Sequence, residues 1–260
     1  MIRLALVLAL LAGPALAQDH ILIQSTTSTQ NSGLYDHLLP LFEAATGIEA
    51  RVVAVGTGQA IRNAANCDGD VLLVHARAEE EAFVAAGFGL ERREVMENDF
   101  VLVGPAPLEG ATPAEVLAAL ARARLPFLSR GDDSGTHARE RALWAGAGID
   151  PERASGGWYR ETGAGMGATL NIAAATDAYT LTDRATWATF ANPGRLRIAW
   201  EGHADLANSY GVIAVSPDHC PRANVTGARA FVDWVTGPDG QAAIATFRPT
   251  GAQLFRPAAR

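Results

Sequence analysis

The stretch ILIQSTTSTQNSGL, residues 21–34, runs from a short apolar segment through five consecutive hydroxyl residues into an amphipathic segment. Residues 21–24 have the length and branching of a buried strand, and Leu34, Leu38, Leu39, Leu41 and Phe42 recur behind it at helical spacing. The same order of elements occurs twice more. A strand is expected at 51–55, a turn at Gly56-Thr57-Gly58 and a helix at 59–66. Val71 to Val74, an unbroken apolar run, is expected as a buried strand before a helix over 79–86 that Gly87 ends. Three strand–turn–helix units in succession predict an α/β fold with a parallel sheet, because parallel neighbours need a crossover and a helix is the usual one. The turns then gather at the carboxyl ends of the strands, where open α/β sheets hold their ligands.

Further on, residues 98–103 read as a strand closed by Gly104-Pro105, a breaker at which the chain is expected to enter a second domain. A fresh α/β series follows. Thr112 and Pro113 open a helix running to about 123, then come a strand at 126–129, a helix from 135 to about 146, a glycine-rich turn at 163–167, a helix at 168–175 and a strand at 178–181. Strands at 197–200 and 210–215 lead back, and two helices broken at Gly237-Pro238 occupy 227–247. No repeat of fixed period is present, which excludes solenoids.

The 260 residues are 48% hydrophobic and 19% charged, the balance of a packed globular protein with room for one large domain or two ordinary ones. All 21 basic residues are arginine, against 28 Asp plus Glu, for a net charge of −7. No basic stripe suits a nucleic-acid backbone, so no nucleic-acid partner is expected. The lack of lysine also removes Schiff-base chemistry and the lysine of a nucleotide-cradling loop. Met1-Ile2-Arg3, the apolar run 4–11 and Ala15-Leu16-Ala17 form the pattern of a cleaved signal peptide, residues 1–17, with Gln18 as the mature start. The run is shorter than the roughly 20 apolar residues of a spanning helix, and no cysteine stands at the cleavage point for lipid anchoring. A soluble periplasmic protein is expected. Its two cysteines, Cys67 and Cys220, are expected to form a disulfide in that oxidising compartment, with two free thiols as the alternative.

Three of the turns could carry chemistry. Ser25, Thr26, Thr27, Ser28 and Thr29 each offer an O–H donor, and a helix start behind them offers unpaired N–H groups. N-capping accounts for one or two of these hydroxyls but hardly for five in succession. In the second turn Gly56 and Gly58 permit close backbone approach, and Thr57 adds a donor. In the third, Arg130 stands four residues before Ser134-Gly135-Thr136, which opens a helix, so a guanidinium and helix-terminal N–H groups can converge on one tetrahedral dianion. Asp132 is expected to hold Arg130, with helix capping as its other role, and His137 is expected on the helix surface or behind the ligand. Asp133-Ser134-Gly135 also matches the nucleophile segment of trypsin-like proteases, which raises a secreted serine hydrolase using Ser134. Those enzymes are β-barrels, and no G-x-S-x-G elbow is present. The six histidines are scattered and form no ligand motif, so neither a metal nor a cofactor is expected.

Taken in order, STTSTQNSGL (25–34), VGTGQAI (55–61), DVLLVHA (70–76), NDFVLVGP (98–105), SRGDDSGTH (129–137), WYRETGAGMGATLNIA (158–173), AYTLTDRAT (178–186) and GQAAIATF (240–247) resemble the TupA family of tungstate receptors of ABC transporters. The resemblance covers essentially the whole chain beyond the signal peptide. The Arg130 to Thr136 element is also similar to one in periplasmic phosphate receptors. What the resemblance implies is a type II periplasmic-binding-protein fold, two α/β lobes with a ligand cleft and two hinge crossings. Lobe I would comprise 18–103 plus 206–260, and lobe II 104–205. The family's hydroxyl-rich TTTS positions map onto Ser25, Thr26, Thr27 and Ser28, its selectivity-linked arginine maps onto Arg130, and AYTLTDR places Thr180 or Thr182 at the cleft. The family usually begins that motif with Thr; Ser25 keeps the hydroxyl.

The full candidate set for an oxyanion is therefore Ser25, Thr26, Thr27, Ser28, Gly56, Thr57, Arg130, Ser134, Gly135, Thr136, Thr180 and Thr182. Tungstate and molybdate are fully ionised near neutral pH and need only donors, whereas monoprotonated phosphate gains from an acceptor, so Asp132 or Asp133 facing inward would favour a protonated ligand. The expected protein is a monomeric, non-enzymatic receptor that captures tungstate and delivers it to an ABC permease with its ATPase, with molybdate or phosphate as the alternative ligands.

Overall fold

A computed structural model describes residues 19–259; the signal peptide read at 1–17 and the cleavage before Gln18 lie outside the described residues. The first part of the chain forms β1 (His20–Thr26), α1 (Thr27–Asn31), α2 (Leu34–Thr46), β2 (Glu49–Val55), α3 (Thr57–Ala65), β3 (Val71–Val74), α4 (Arg77–Ala85) and β4 (Gly89–Gly104). The middle forms α5 (Pro113–Ala123), β5 (Phe127–Ser129), α6 (Gly135–Gly146), β6 (Tyr159–Glu161), α7 (Met166–Thr176), β7 (Thr180–Asp183), α8 (Arg184–Thr189) and β8 (Arg197–Trp200). The last part forms β9 (Ala207–Val215), α9 (Val225–Thr236), α10 (Pro238–Thr246) and β10 (Arg256–Pro257). Among the described residues no helix is long and apolar enough to cross a membrane.

β2, β1 and β3 lie side by side and parallel, with Ile23 opposite both Val52 and Val71. Beyond β3 the sheet continues through β9, β4 and β10, and these pairings are antiparallel. The sheet is thus mixed, which corrects the expectation of a parallel one. β9 returns from the middle of the chain without a crossover helix on this sheet, so nothing forces it parallel.

β4 is the element that joins the two halves. Its stretch up to Asp99 pairs with β9, while Phe100 to Val103 pairs with β7 and Leu102 to Gly104 with β8. The chain passes between the halves in β4 and returns on entering β9. Charges at Glu91, Arg92, Arg93 and Glu94 hid the first half of this strand from the sequence reading. β5 and β6 form a separate parallel pair in the second half.

Side-chain alternation explains the unbroken apolar run of β3, because both faces of the sheet are covered. Val71 and Leu73 join Ile21, Ile23, Phe42, Val212, Phe231 and Ile244 on the side of α2, α9 and α10. Leu72 and Val74 join Ala60, Phe83 and Ile213 on the side of α3 and α4. Each fully buried side chain of this kind contributes about 1.5–3 kcal/mol by leaving water. The second half has its own core of Val116, Leu120, Phe127, Trp144 and Tyr159. A disulfide joins Cys67, after α3, to Cys220, after β9, with 5.4 Å between their Cα atoms.

Candidate functional site

β1, β2 and β3 end at one edge of the sheet, and the residues that follow them converge there: Thr27 and Ser28, Gly56 and Thr57, and His75. Across from them the turn after β5 brings Arg130, Ser134 and Gly135. With Thr26 and Val55 these residues wall a small, tight cavity.

The first turn does two jobs. Thr26 caps α1, its Oγ1 accepting from the Thr29 backbone N–H at 3.4 Å, and it lies 2.7 Å from Thr29 Oγ1 and 3.1 Å from Ser28 Oγ. Thr27 and Ser28 remain on the cavity wall. In the second turn, Thr57 Oγ1 accepts from the Gly135 backbone N–H at 3.1 Å, a bond between the two halves of the molecule. A Cβ on Gly135 would stand 3.0 Å from Thr57 Oγ1 and 3.1 Å from His75 Cε1, so a side chain there would have to push these neighbours back by a few tenths of an ångström.

The third turn is folded by two left-handed residues, Gly131 (φ 58°) and Asp133 (φ 54°), which curl the chain between β5 and α6. Arg130 is thereby turned inward and is 3% exposed. Asp132 holds Arg130 as expected and does not cap the helix, because the cap of α6 is Ser134. One carboxylate oxygen accepts from Arg130 Nη2 at 2.5 Å, and the other accepts from the Ser134 backbone N–H at 3.2 Å. Asp133 points to solvent, with its side chain 94% exposed. Ser134 caps α6 by accepting from the His137 N–H at 3.3 Å, which accounts for that hydroxyl without a nucleophilic role. Most telling is Arg130 Nε, a buried N–H with no partner. An unmet donor of this kind costs about 1–3 kcal/mol, a penalty that an anion in the cavity removes.

His75 was not singled out from the sequence. Its position directly after β3, at the carboxyl end of a strand, is the signal that could have found it. Nε2 lies 3.2 Å from Ser28 Oγ, and Nδ1 lies 3.1 Å from Asn208 Oδ1. Burial pushes the imidazole down to about 4; the bond to Asn208 works against this and the Arg130 charge adds to it, so the ring is neutral near pH 7.

Four expected ligand residues stand off the cavity wall. Ser25 turns to the sheet interior, where its hydroxyl donates to the Leu73 carbonyl at 2.7 Å and receives the Tyr35 hydroxyl. Thr180 and Thr182 are buried in β7, and Thr182 Oγ1 donates to the Asp183 carbonyl at 3.2 Å. Thr136 is buried in α6, its hydroxyl unpaired but outside the wall. His137 is also buried rather than on the helix surface, because its Nδ1 accepts from the Asp133 N–H at 3.2 Å. Among the described residues, one group of His, Cys, Asp or Glu atoms is close enough to share a metal ion: Cys67, His219 and Cys220. The disulfide takes up both sulfurs, which leaves no thiolate ligand there.

The sequence matches the PBP superfamily domain over residues 12–239. It is 47% identical to the tungstate-binding protein TupA of Peptoclostridium acidaminophilum, over 93% of this chain and 86% of that protein. The structure resembles the tungstate-binding protein TupA from Desulfovibrio alaskensis G20, with a TM-score of 0.80 and 44% identity over 93% of this chain and 100% of that one. The tungstate ABC transporter structure from Geobacter sulfurreducens gives a TM-score of 0.81 and 44% identity over 89% and 100%. The chain belongs to the TupA family of solute-binding proteins, within the PBP superfamily and with its two-part α/β fold.

Proposed function

We propose that this protein is a periplasmic receptor that captures tungstate in the cavity between its two halves and hands it to an ABC permease with its ATPase. The observation that carries the reading is Arg130 Nε, a buried donor without a partner, beside a wall of hydroxyls and helix-start N–H groups. Such a wall suits a fully ionised tetrahedral dianion. The similarity to tungstate-binding proteins over nearly the full length supports tungstate as the ligand. Molybdate shares the charge and shape and is the natural competitor.

The direct ligands in this reading are Thr26, Thr27, Ser28, Gly56, Thr57, Arg130, Ser134 and Gly135. The lobes are 18–103 with 206–260, and 104–205. The strands β4 and β9 act as the hinge, and the Thr57 to Gly135 bond marks the closed state. Closure removes water from the ion and forms the surface that a permease reads. The protein acts as a monomer, exported by its signal peptide, and carries out no covalent chemistry. Thermal melts with tungstate, molybdate, sulfate and phosphate test this, since a ligand of the folded state raises the midpoint by mass action. Tungstate is expected to raise it at concentrations where sulfate and phosphate do nothing. Equal effects of all four would remove the oxyanion selectivity from the reading.

A further inference from the structure

Behind the cavity, a line of buried polar side chains runs from the tungstate wall to the second half of the molecule. Asn98 in β4 and Asn208 in β9 face each other across the two strands that join the halves, and both are 2% exposed. Asn208 Nδ2 donates to Asn98 Oδ1 at 2.7 Å, and Asn98 Nδ2 donates to Asp183 Oδ1 at 3.4 Å. Asp183 Oδ1 also accepts from the Thr186 backbone N–H at 2.9 Å. A backbone N–H can only donate, so Oδ1 accepts from it, and a proton on the buried carboxyl would sit on Oδ2, 2.6 Å from Thr186 Oγ1, which leaves Oδ1 as the acceptor toward Asn98. That anchors every amide behind it. Asn98 must turn its NH₂ toward Asp183, Asn208 must turn its NH₂ toward Asn98, and Asn208 Oδ1 is left to accept from His75. His75 therefore carries its proton on Nδ1 and presents a bare Nε2 to Ser28 and the cavity.

A bare nitrogen is an odd wall for a dianion, unless it changes state when the anion arrives. Facing His75 are Arg130 with its partner Asp132, Tyr210 of β9 with ring centroids 4.8 Å apart, and Asp183 two amides away. Arg77, Glu79 and Glu81 of α4 and Arg139 of α6 line the groove on its other side. The Arg130 charge adds to burial in lowering the proton affinity of His75, and it is itself balanced by Asp132. A dianion placed between the two side chains reverses the sign of the local field.

Resting on the tungstate reading above, we infer that Asp183, Asn98 and Asn208 position His75 to take up one proton on Nε2 as the dianion enters. The proton comes from solvent. Nε2 then donates instead of accepting, and the Ser28 hydroxyl, released from His75, turns its own proton to the anion. The Nε2–H bond forms as hydronium or a buffer acid gives up that proton, and no bond between heavy atoms changes. His75 becomes the second cation of the occupied site, and Asn98 and Asn208 act through it as positioning residues.

The test is isothermal titration of tungstate into the mature protein from about pH 5 to about pH 8, in buffers of different ionisation enthalpy, which yields the number of protons taken up. Uptake approaching one proton is expected at the acid end of that range, lost in His75→Gln and reduced in Asn208→Leu. Nitrogen NMR of the His75 ring in the wild type gives a readout independent of variant folding. One protonated ring nitrogen is expected without tungstate and two with it. Binding without proton uptake, or a ring that keeps one proton in both states, overturns this inference and leaves the receptor standing. Absence of any tungstate binding overturns the receptor reading itself.

Discussion

Arg130→Ala is the most informative single substitution. The side chain is 3% exposed, lines the cavity and holds one unpaired N–H, while its Nη2 is tied to Asp132 at 2.5 Å. Removing it deletes the one arginine on the cavity wall. Truncating one partner of a buried, hydrogen-bonded charge pair costs about 2–5 kcal/mol, which is roughly 30-fold to several-thousand-fold in Kd. Asp132, with its side chain 17% exposed, also loses its counter-ion, so the empty protein is expected to melt earlier. Arg130→Lys separates charge from geometry. A lysine keeps the charge as a compact point but lacks the planar fork and the Nε donor, so an intermediate loss is expected. Competitive titration with tungstate reads both variants, and circular dichroism verifies that they are folded. A folded Arg130→Ala protein that binds tungstate within about twofold of wild type would refute the assignment of Arg130 to the site.

Gly135→Ala places a Cβ 3.0 Å from Thr57 Oγ1 and 3.1 Å from His75 Cε1, so it is expected to hold the halves apart and weaken tungstate binding; calorimetry and small-angle scattering of the ligand-saturated protein would detect both effects. Glu140 lies in α6 and accepts from the Tyr159 hydroxyl at 2.9 Å, and burial raises its carboxyl to about 7 against the pull of its hydrogen bonds. The folded state therefore binds this proton more tightly than the unfolded chain. The associated stability is fully present below about pH 4.5 and is lost as pH rises through about 7, on the order of 3 kcal/mol in all. Glu140→Gln is expected to flatten that part of the pH profile of urea midpoints, and an unchanged slope would count against it. The Cys67–Cys220 bridge closes a separation of 153 residues, which corresponds to about 5 kcal/mol of chain entropy in the unfolded state. Reduction, or the double substitution to serine, should lower the thermal midpoint markedly, and an unaltered melt would contradict the bridge.

The local units of this fold were legible because their signals are local. The apolar runs of β1 and β3, the Thr112-Pro113 opening of α5 and the Gly237-Pro238 break between α9 and α10 all appear where composition and capping put them. What escaped depends on distant partners. Antiparallel β9 pairs with β3 across more than half the chain, and the charged first half of β4 is a strand because β9 and β10 flank it. The site follows the same division. Thr27, Ser28, Gly56, Thr57 and Arg130 announce themselves as hydroxyls, glycines and a cation at strand-to-helix turns. Ser25 and Thr182 carry the same chemistry but point into the sheet, a matter of strand alternation at the last residues before a turn. His75, Asn98 and Asn208 come from three separate strands or their ends, and no spacing in the chain connects them.

The most direct test of the account is isothermal titration of the mature protein with tungstate in a buffer free of other oxyanions, repeated with molybdate, sulfate and phosphate. One tightly bound tungstate per chain, with sulfate and phosphate far weaker, is the expected result. A protein that is folded and gives no binding heat with any of the four would contradict the oxyanion site and with it the proposed role.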